Sequence, residues 1–286
     1  MFHFRSDEKA ATASAWTGDR NGLAVRGLGV TLGTRRILHD ISLSARVGEL
    51  TAIIGPNGSG KSTLLKAVTG EHAHDGEALL ASVRVSPDNR RRLALMRGVL
   101  AQHTSVAFSL TVEEVVRLGV SVRGAHGPDA AMSVAEALEA VDLSGFAGRD
   151  YLKLSGGEQQ RVQLARVLCQ VGAPVGPQGP RWIFLDEPVS SLDIKHQLWV
   201  MRFVRDFAKR GGGVVAVMHD LNLTAMFADQ VVALRQGRVH AAGTPQEVLT
   251  RALMSELYDC DVPVGEAPRD GSPFVLPHGA RVSPGT

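Results

Sequence analysis

The sequence predicts an α/β fold in which a parallel core sheet carries an inserted helical lobe. Short apolar runs of strand length alternate with helical stretches, as in folds where helices cover a parallel sheet. Residues 104–172 interrupt this alternation because their pattern is almost wholly helical. With 286 residues, 44% hydrophobic and 21% charged, the chain has the length and composition of a globular protein with one large domain or two lobes.

The first third of the chain is predicted to be mostly β-structure. Residues 1–20 are polar and alanine-rich without a clear period, so we expect a mobile extension. Between residues 23 and 45, β-branched and polar residues alternate around Leu32-Gly33-Thr34, which predicts a hairpin. The other elements predicted here are a buried strand at 50–54, a helix at about 61–68 and a helix-strand region at about 77–101.

Caps, glycines and apolar runs predict the rest of the chain. Thr111, with Glu114 three residues on, signals a helix start. Segment 171–180 is rich in glycine and proline, so we expect a loop there. The other predicted elements are a helix at about 131–141, a strand at 182–185, a helix at 194–209, a strand at 214–218 and an edge hairpin of 231–234 with 238–240. We expect one domain over 21–260 and an extension over 261–286, in which 273–277 forms a short added strand.

Charge and cysteine content argue against several classes of function. The net charge of +2 is small and dispersed, so no nucleic-acid partner is predicted, and Arg90-Arg91-Arg92 is interpreted as a solvated helix face. Cys169 and Cys260 lack metal or redox spacing, which favours buried structural thiols in a reducing cytosol. No apolar run approaches the roughly 20 residues that span a bilayer. His72-Ala73-His74 is interpreted as a solvated turn rather than a metal or haem site.

A glycine-rich segment between a predicted strand and a predicted helix has the pattern of a phosphate-binding loop. Its residues are Gly55-Pro56-Asn57-Gly58-Ser59-Gly60-Lys61-Ser62, which fit G-x-x-x-x-G-K-[ST] and are called the phosphate loop below. Glycines let consecutive backbone N–H groups curl around phosphate oxygens. Lys61 would neutralise the β- and γ-phosphate oxygens, and the Ser62 hydroxyl would reach a magnesium ion.

Two carboxylates follow the apolar run 182–185. Asp186 and Glu187 would emerge at the carboxyl end of a strand, where α/β sheets bind ligands. Asp186 is placed to hold the magnesium shell, and Glu187 to polarise a water molecule for in-line attack on the γ-phosphate. Solvated acids at a strand end would explain these residues without function. The phosphate loop makes hydrolysis of a nucleoside triphosphate the better interpretation.

The segment Leu154–Gln160, called the signature segment below, contains two glycines at a predicted helix start. Ser155 and Glu158 have the spacing of a capping box, and a capped amphipathic helix would explain them alone. Gly156 and Gly157 are not needed for capping and cost helix stability. They leave an open, positively polarised helix start that an anion can approach. A polar row on this helix is also predicted, comprising Gln159, Gln163, Arg166 and Gln170.

From about residue 23 to 257 the chain resembles the ATP-binding subunits of ABC transporters. The phosphate loop and the strand before Asp186 are shared with other nucleotide hydrolases, whereas the signature segment is specific to this family. Further matches are Gln102 at the Q-loop position, Ser190-Ser191-Leu192-Asp193 at the D-loop, where Val189 and Ser191 replace the usual Thr and Ala, and His219 at the switch position. The resemblance implies a P-loop NTPase of the ABC type, with a parallel core sheet, an antiparallel β subdomain and an inserted helical lobe.

The resemblance also implies the ligands and the roles of residues. ATP would bind to the phosphate loop and Thr63, with Leu32 beside the adenine. Mg²⁺ would be held by Ser62, Gln102 and Asp186, and the catalytic residues would be Glu187, His219, Lys61 and Gln102. In this family two copies pack head-to-tail, so Ser155, Gly156 and Gly157 would bind the γ-phosphate of ATP on the partner copy, and Asp193 would communicate across the interface.

One position departs from the family pattern. Leu32 stands where the family usually stacks an aromatic side chain on the adenine. Leucine offers apolar contact without the roughly 0.5–1.5 kcal/mol that aromatic pairs add. A weaker preference for adenine is therefore expected.

Narrower matches concern the transported substrate. The segments 102–108, 149–151, 159–166 and 219–223, with the Gly/Pro loop before Trp182, resemble the ATP-binding subunits of bacterial hemin importers. That group lies within a larger one for ferric siderophores and cobalamin, which are the alternative substrates. The resemblance implies a separate membrane permease, a periplasmic substrate-binding protein and a location on the cytoplasmic face of the inner membrane. A remoter alternative is a non-transport ABC ATPase, but such proteins resemble two linked cassettes or cassettes split by coiled coils, and this chain has neither.

Overall fold

A computed structural model of the chain describes residues 20–102, 109–121 and 132–279. Its strands are β1 (Leu23–Leu32), β2 (Arg35–Ala45), β3 (Leu50–Ile54), β4 (Asp75–Leu80), β5 (Val83–Arg84), β6 (Arg97–Leu100), β7 (Val175–Gly176), β8 (Gly179–Pro180), β9 (Trp182–Asp186), β10 (Gly213–Val217), β11 (Gln230–Arg235) and β12 (Arg238–Gly243). Its helices are α1 (Lys61–Val68), α2 (Arg90–Met96), α3 (Val112–Ser121), α4 (Val134–Glu139), α5 (Gly156–Val171), α6 (Ile194–Lys209), α7 (Leu221–Phe227), α8 (Pro245–Val248) and α9 (Arg251–Tyr258). In the described ranges, no helix combines the length and the apolar character that crossing a membrane requires.

The core sheet has the strand order β12-β11-β3-β10-β9-β6, in which β11 through β6 are parallel. β12 pairs antiparallel with β11 at one edge, which confirms the predicted edge hairpin. Strands β3, β9 and β10 are buried throughout. They are continuous apolar runs because side chains on both faces pack against other elements. The predicted parallel sheet is confirmed.

An antiparallel sheet of order β2-β1-β4-β5 packs over one face of the core sheet. Alternate residues of the core strands point their side chains to opposite faces of the sheet. Trp182 and Phe184 of β9 point towards the antiparallel sheet and α1, whereas Ile183 and Leu185 point towards the helices on the other side. The predicted hairpin around Leu32 is formed by β1 and β2.

The helical lobe lies between β6 and β9 in the chain. Thr111 caps α3 as predicted: its hydroxyl accepts a hydrogen bond from the Glu114 backbone at 3.3 Å, and the Glu114 carboxylate accepts one from the Thr111 backbone at 2.8 Å. α3 and α5 approach closely at Gly119, where a Cβ atom would lie 2.1 Å from the carbonyl oxygen of Arg166. The polar row on α5 is not a solvated stripe. Gln163 is buried, and Arg166 and Gln170 donate to backbone carbonyls of β6, the edge strand of the core sheet.

Several predicted boundaries in the lobe are wrong. The helix predicted at about 131–141, of which residue 131 lies outside the described ranges, runs over Val134–Glu139. Turns with a 3-10 segment at Tyr151–Lys153 replace helix before the signature segment. In 171–180, α5 continues through Val171, and β7 and β8 form a small hairpin instead of a plain loop. Glycine and proline content signals a reversal of the chain but does not exclude two short pairing strands beside it.

Two predictions about the C-terminal region are also wrong. Residues 273–277 form no strand in the described part of the chain, and Val275 is 80% exposed, because proline at both ends removes backbone donors. Cys260 is exposed, since it follows the last turn of α9, whereas Cys169 is buried as predicted. The predicted extension at 1–20, except for residue 20, and the interpretation of residues 103–108 fall outside the described ranges.

Candidate functional site

Four predicted site segments meet at the carboxyl end of the parallel strands of the core sheet. Strands β3, β10, β9 and β6 are parallel neighbours, so their carboxyl ends lie side by side. Gly55 follows β3, and Glu187 follows β9. His219 lies just beyond β10, and Gln102 lies just beyond β6. The crevice outside these strand ends is where open α/β sheets bind ligands.

The phosphate loop has a backbone that only glycine permits at two positions. Gly55 has a φ of 146°, and a Cβ atom there would lie 2.2 Å from the carbonyl oxygen of Leu234. Gly60 has a φ of 101°, and a Cβ atom there would lie 2.6 Å from Leu38. Because α1 begins directly after Gly60, the loop presents the amino end of that helix, which favours an anion.

Lys61 lies folded over this loop. Its Nζ atom donates to the carbonyl oxygens of Gly55 at 2.8 Å and Pro56 at 3.0 Å, and only 5% of the residue is exposed. Burial lowers the pKa of Lys61, while the carboxylates of Glu187 and Asp186 act in the opposite direction. An anion entering the loop would stabilise the charged ammonium group and take over its donors.

Ser62 and Asp186, the two predicted magnesium ligands from different elements, are brought together. The Ser62 hydroxyl donates to Oδ1 of Asp186 at 2.9 Å, and Asp186 is 3% exposed. Burial raises the pKa of Asp186, and the neighbouring Glu187 adds to this, while the bond from Ser62 lowers it. A hydroxyl and a carboxylate beside a phosphate loop are oxygen ligands of the kind that Mg²⁺ prefers, so the residues present fit this ion.

Asp186→Asn is expected to raise the unfolding temperature of the nucleotide-free protein at neutral pH, by about 2–4 °C for each kcal/mol that the ionised carboxylate costs. The folded-state pKa of Asp186 lies above its unfolded value, so its ionised form destabilises the fold increasingly as pH rises through that interval. Asparagine removes the charge and still accepts from Ser62. The gain should disappear in acid, below the unfolded pKa, and thermal scans at both pH values check this. The exposed Asp88→Asn is the matched control, and an equal gain in that variant would contradict the explanation.

Glu187 and His219 form the closest polar pair of the site. Nε2 of His219 lies 2.6 Å from Oε1 of Glu187, whose side chain is 15% exposed against 41% for the histidine. Glu187 has a φ of 53°, a left-handed conformation that costs a residue other than glycine about 1 kcal/mol. Its carboxylate is therefore held at a specific place by the surrounding structure, as a general base must be.

The signature segment begins α5 with the predicted capping box. The Ser155 hydroxyl donates to Oε2 of Glu158 at 2.7 Å and accepts from the Glu158 backbone at 3.3 Å, and the Ser155 backbone donates to the same carboxylate at 2.8 Å. A Cβ atom on Gly156 would meet open space, whereas one on Gly157 would lie 3.2 Å from the carbonyl oxygen of Ser191. Within the described part of the chain, no hydrogen bond of Ser155 reaches the phosphate loop.

Asp193 of the D-loop caps α6 within its own chain. Its Oδ1 atom accepts from the backbone of His196 at 2.9 Å and lies 2.8 Å from Nδ1 of the same histidine. The bond from the His196 backbone is the largest cause of the lowered pKa of Asp193. Nε2 of His196 lies 3.6 Å from Asp142 of the helical lobe, so this residue lies between the D-loop and the lobe.

Comparison with known sequences decides the family. A family model described as "ABC transporter" matches residues 38–190. The proteins named "Hemin import ATP-binding protein HmuV" of Rhizobium etli and Ruegeria sp. are 52% and 53% identical to this chain, over 92% and 91% of it and 100% and 99% of their own lengths. The protein of that name from Rhizobium meliloti is 53% identical over 88% of this chain and 97% of its own. The chain belongs to the ABC transporter family.

Solved ABC structures share the fold. A chain described as "Structure of ATP binding subunit of ABC transporter" gives a TM-score of 0.72 at 23% identity, covering 83% of this chain and 98% of the other. A putative metal-chelate type ABC transporter in an inward-facing conformation gives 0.67 at 25% identity, covering 83% and 89%. The predicted P-loop NTPase fold of the ABC type is therefore confirmed. Members of this family are ATPases that power transport, so this ABC protein is an ATPase that binds ATP.

Two predicted site residues of this ABC protein lie at the margins of the site. Leu32 ends β1 at the tip of the first hairpin and is 40% exposed, as a residue beside a bound base would be. Gln102 is exposed two residues beyond Leu100, which pairs with Leu185 on the neighbouring strand. This register brings the ends of β6 and β9 side by side, each shortly before Gln102 or Glu187 in the sequence.

Gln160 and Ser191 are site neighbours that the sequence did not predict. The sequence places Gln160 only in the signature segment, and Ser191 only at a D-loop position where it replaces the usual Ala. In the structure the Ser191 hydroxyl donates to Oε1 of Gln160, whose Nε2 atom donates to the carbonyl oxygen of Glu187 at 3.1 Å. No spacing signal in the sequence links these residues, because the contact joins a helix start to a loop beyond a distant strand.

Proposed function

We propose that this chain is the ATP-hydrolysing subunit of a bacterial ABC importer that drives hemin uptake through a separate permease. The observation that carries the catalytic part is the meeting of Lys61, the Ser62–Asp186 pair and the Glu187–His219 pair at one sheet edge. The assignment of hemin as the substrate rests on the names of relatives that are about half identical to this chain over most of its length.

The phosphate loop would bind the ATP phosphates. The residues assigned to the nucleotide are Gly55, Pro56, Asn57, Gly58, Ser59, Gly60, Lys61, Ser62 and Thr63, with Leu32 against the adenine. Lys61 would transfer its Nζ donors from the carbonyls of Gly55 and Pro56 to phosphate oxygens. Ser62, Asp186 and Gln102 would hold Mg²⁺, which neutralises charge on the β- and γ-phosphate oxygens when bound.

Hydrolysis would use the Glu187–His219 pair. The Glu187 carboxylate is the general base: it would accept the proton of the attacking water. His219, 2.6 Å from that carboxylate, would orient the water and contact the γ-phosphate. Burial of the base side chain keeps bulk water from competing for it.

The signature segment supports a site completed by a second copy. A Cβ atom on Gly156 would meet open space, so the start of α5 is not covered there and an external anion could approach it. Two copies packed head-to-tail would place Ser155, Gly156 and Gly157 of one on the γ-phosphate bound to the other, and Asp193 would lie near the interface. ATP would favour the closed pair, and hydrolysis would release it.

The remaining partners belong to the importer. The helical lobe would contact permease subunits at the cytoplasmic face of the inner membrane, and a periplasmic protein would deliver hemin. The similar solved structure described as a metal-chelate type transporter keeps ferric siderophores as a second candidate for the transported substrate. Cobalamin is a further candidate. Proteoliposomes containing the chain with the permease and binding protein of neighbouring genes test the choice. ATP-dependent uptake of hemin, but not of a ferric siderophore or cobalamin, is expected; the opposite preference would reject hemin.

Leu32→Tyr is expected to lower the KM for ATP about two- to tenfold. A tyrosine ring would stack on the adenine and add roughly 0.5–1.5 kcal/mol over the apolar contact of leucine. Steady-state ATPase kinetics of the wild type and the variant provide the measurement. Leu276→Tyr, an exposed leucine in the C-terminal region, is the matched control. An unchanged or raised KM for Leu32→Tyr would place the adenine elsewhere.

A further inference from the structure

Gln160 joins the signature segment to the backbone of Glu187. It lies in the second turn of α5, and its Nε2 atom donates to the carbonyl oxygen of Glu187 at 3.1 Å. Its Oε1 atom accepts from the Ser191 hydroxyl. A carbonyl oxygen can only accept, so the nitrogen of the amide must face Glu187. Both ends of this side chain are therefore engaged by the strand-end loop that carries the base.

The backbone of Glu187 needs such support because of its conformation. The residue is in the left-handed region with a φ of 53°. Its N–H donates to the carbonyl oxygen of Val217 at 3.2 Å, and its own carbonyl also accepts from the Ser190 hydroxyl at 3.3 Å. Of these hydrogen-bond partners of the Glu187 backbone, Val217 belongs to the core sheet and Ser190 to the loop itself, whereas Gln160 belongs to the helical lobe.

A second contact joins the same two segments. A Cβ atom on Gly157 would lie 3.2 Å from the carbonyl oxygen of Ser191, so the first turn of α5 packs directly on the D-loop backbone. A displacement of the helix start would therefore move Gln160 relative to Glu187. The helix start and the base are mechanically connected within one chain.

We propose that Gln160 is a positioning residue that sets the backbone of Glu187 according to the state of the signature segment of the same chain. The inference rests on the proposed function, in which Glu187 is the base. In the head-to-tail pair, the signature segment of one chain would face the ATP of the partner, whereas its Glu187 serves its own ATP. Gln160 thus links the two ATP sites, because nucleotide held at one signature segment fixes the base of the other site.

Isosteric variants separate the two halves of the contact. Gln160→Glu keeps the acceptor for Ser191 but loses the donor to Glu187, Gln160→Met loses both, and Ser191→Ala loses only the hydroxyl. We expect kcat to fall roughly 10- to 100-fold in both Gln160 variants and less in Ser191→Ala, since small misplacements of catalytic groups have effects of this size. The KM for ATP and the unfolding temperature should stay near the wild-type values. The Hill coefficient for ATP should fall towards one.

A pH series supplies a readout that would not change if Gln160 had a merely structural role. A protonated carboxyl at position 160 can donate its O–H to the Glu187 carbonyl. The ratio of kcat in Gln160→Glu to kcat in the wild type should therefore rise as pH falls, whereas the ratio for Gln160→Met should stay constant. Gln178→Glu, an exposed glutamine in the β7–β8 turn, controls for the added charge.

Three outcomes would overturn the inference. The first is wild-type kcat in Gln160→Glu, and the second is a fall in the unfolding temperature of the Gln160 variants that parallels their loss of kcat. The third is a loss of kcat in Ser191→Ala that is larger than in the Gln160 variants. Glu187→Gln assayed in parallel separates this failure from failure of the proposed function. If Glu187→Gln abolishes turnover while Gln160→Glu does not change it, only the role of Gln160 is rejected. If Glu187→Gln retains turnover, the assigned base itself is wrong.

Discussion

Glu187→Gln is expected to lower ATPase turnover by about 100- to 10,000-fold, the range for removal of a general base. The amide keeps the shape of the side chain and can still accept from Nε2 of His219, so the geometry of the pair should persist. ATP should bind and remain intact, which traps the closed pair of copies. Turnover measurements and size-exclusion chromatography in Mg-ATP give the two readouts.

The exposed Glu139→Gln is the matched control for this change, and it should keep both turnover and the wild-type elution volume. Wild-type turnover in Glu187→Gln would assign the base to another residue. Low turnover with only a monomer in Mg-ATP would keep the base but reject the head-to-tail pair.

Gly156→Asp is expected to reduce ATPase turnover by roughly 100- to 1,000-fold without lowering the unfolding temperature. A Cβ atom at Gly156 meets open space, so the fold can accept a side chain. Aspartate in the first turn of a helix interacts favourably with its dipole, and replacing glycine raises helix propensity. The carboxylate would, however, repel a phosphate of the partner copy at close range, by about 4 kcal/mol for unit charges at a surface site.

Gly148→Asp is the matched control, because this glycine also has open space and lies in the same lobe. It should keep turnover. A Gly156→Asp variant that is as stable as the wild type and equally active would show that no phosphate approaches the signature segment. Thermal scans and ATPase assays on the same preparations distinguish these cases.

The sequence predicts those parts of the site that depend on local backbone rules. The phosphate loop could be predicted because positive φ values at Gly55 and Gly60 and a following lysine are properties of one continuous segment. Asp186 and Glu187 could be placed because a buried apolar strand ends there. The alternation of elements implies parallel strands, whereas the order β3-β10-β9, on which the pairing of Ser62 with Asp186 depends, comes from the structure.

The features of the fold and of the site that the sequence does not predict depend on contacts between distant segments. Arg166 and Gln170 belong to the predicted polar row along α5, but the pattern does not predict that they donate to the carbonyls of edge strand β6. Gln160 reaches Glu187 only because the lobe folds back on the core sheet. Cys260 is exposed, contrary to the prediction, for a related reason: residue type indicates a preference for burial but not where a helix ends.

In the proposed head-to-tail pair, the capping box of the signature segment would influence which nucleotide the segment binds. The Ser155 hydroxyl already donates to the Glu158 carboxylate and accepts from the Glu158 backbone. A phosphate oxygen of the partner's ATP would therefore have to displace a carboxylate from this hydroxyl, rather than accept from a free donor. Only a strongly charged terminal phosphate competes well in such an exchange. In the proposed pair, a triphosphate would draw the serine hydroxyl away from its own glutamate, and a diphosphate, which lacks the γ-phosphate, would leave it there.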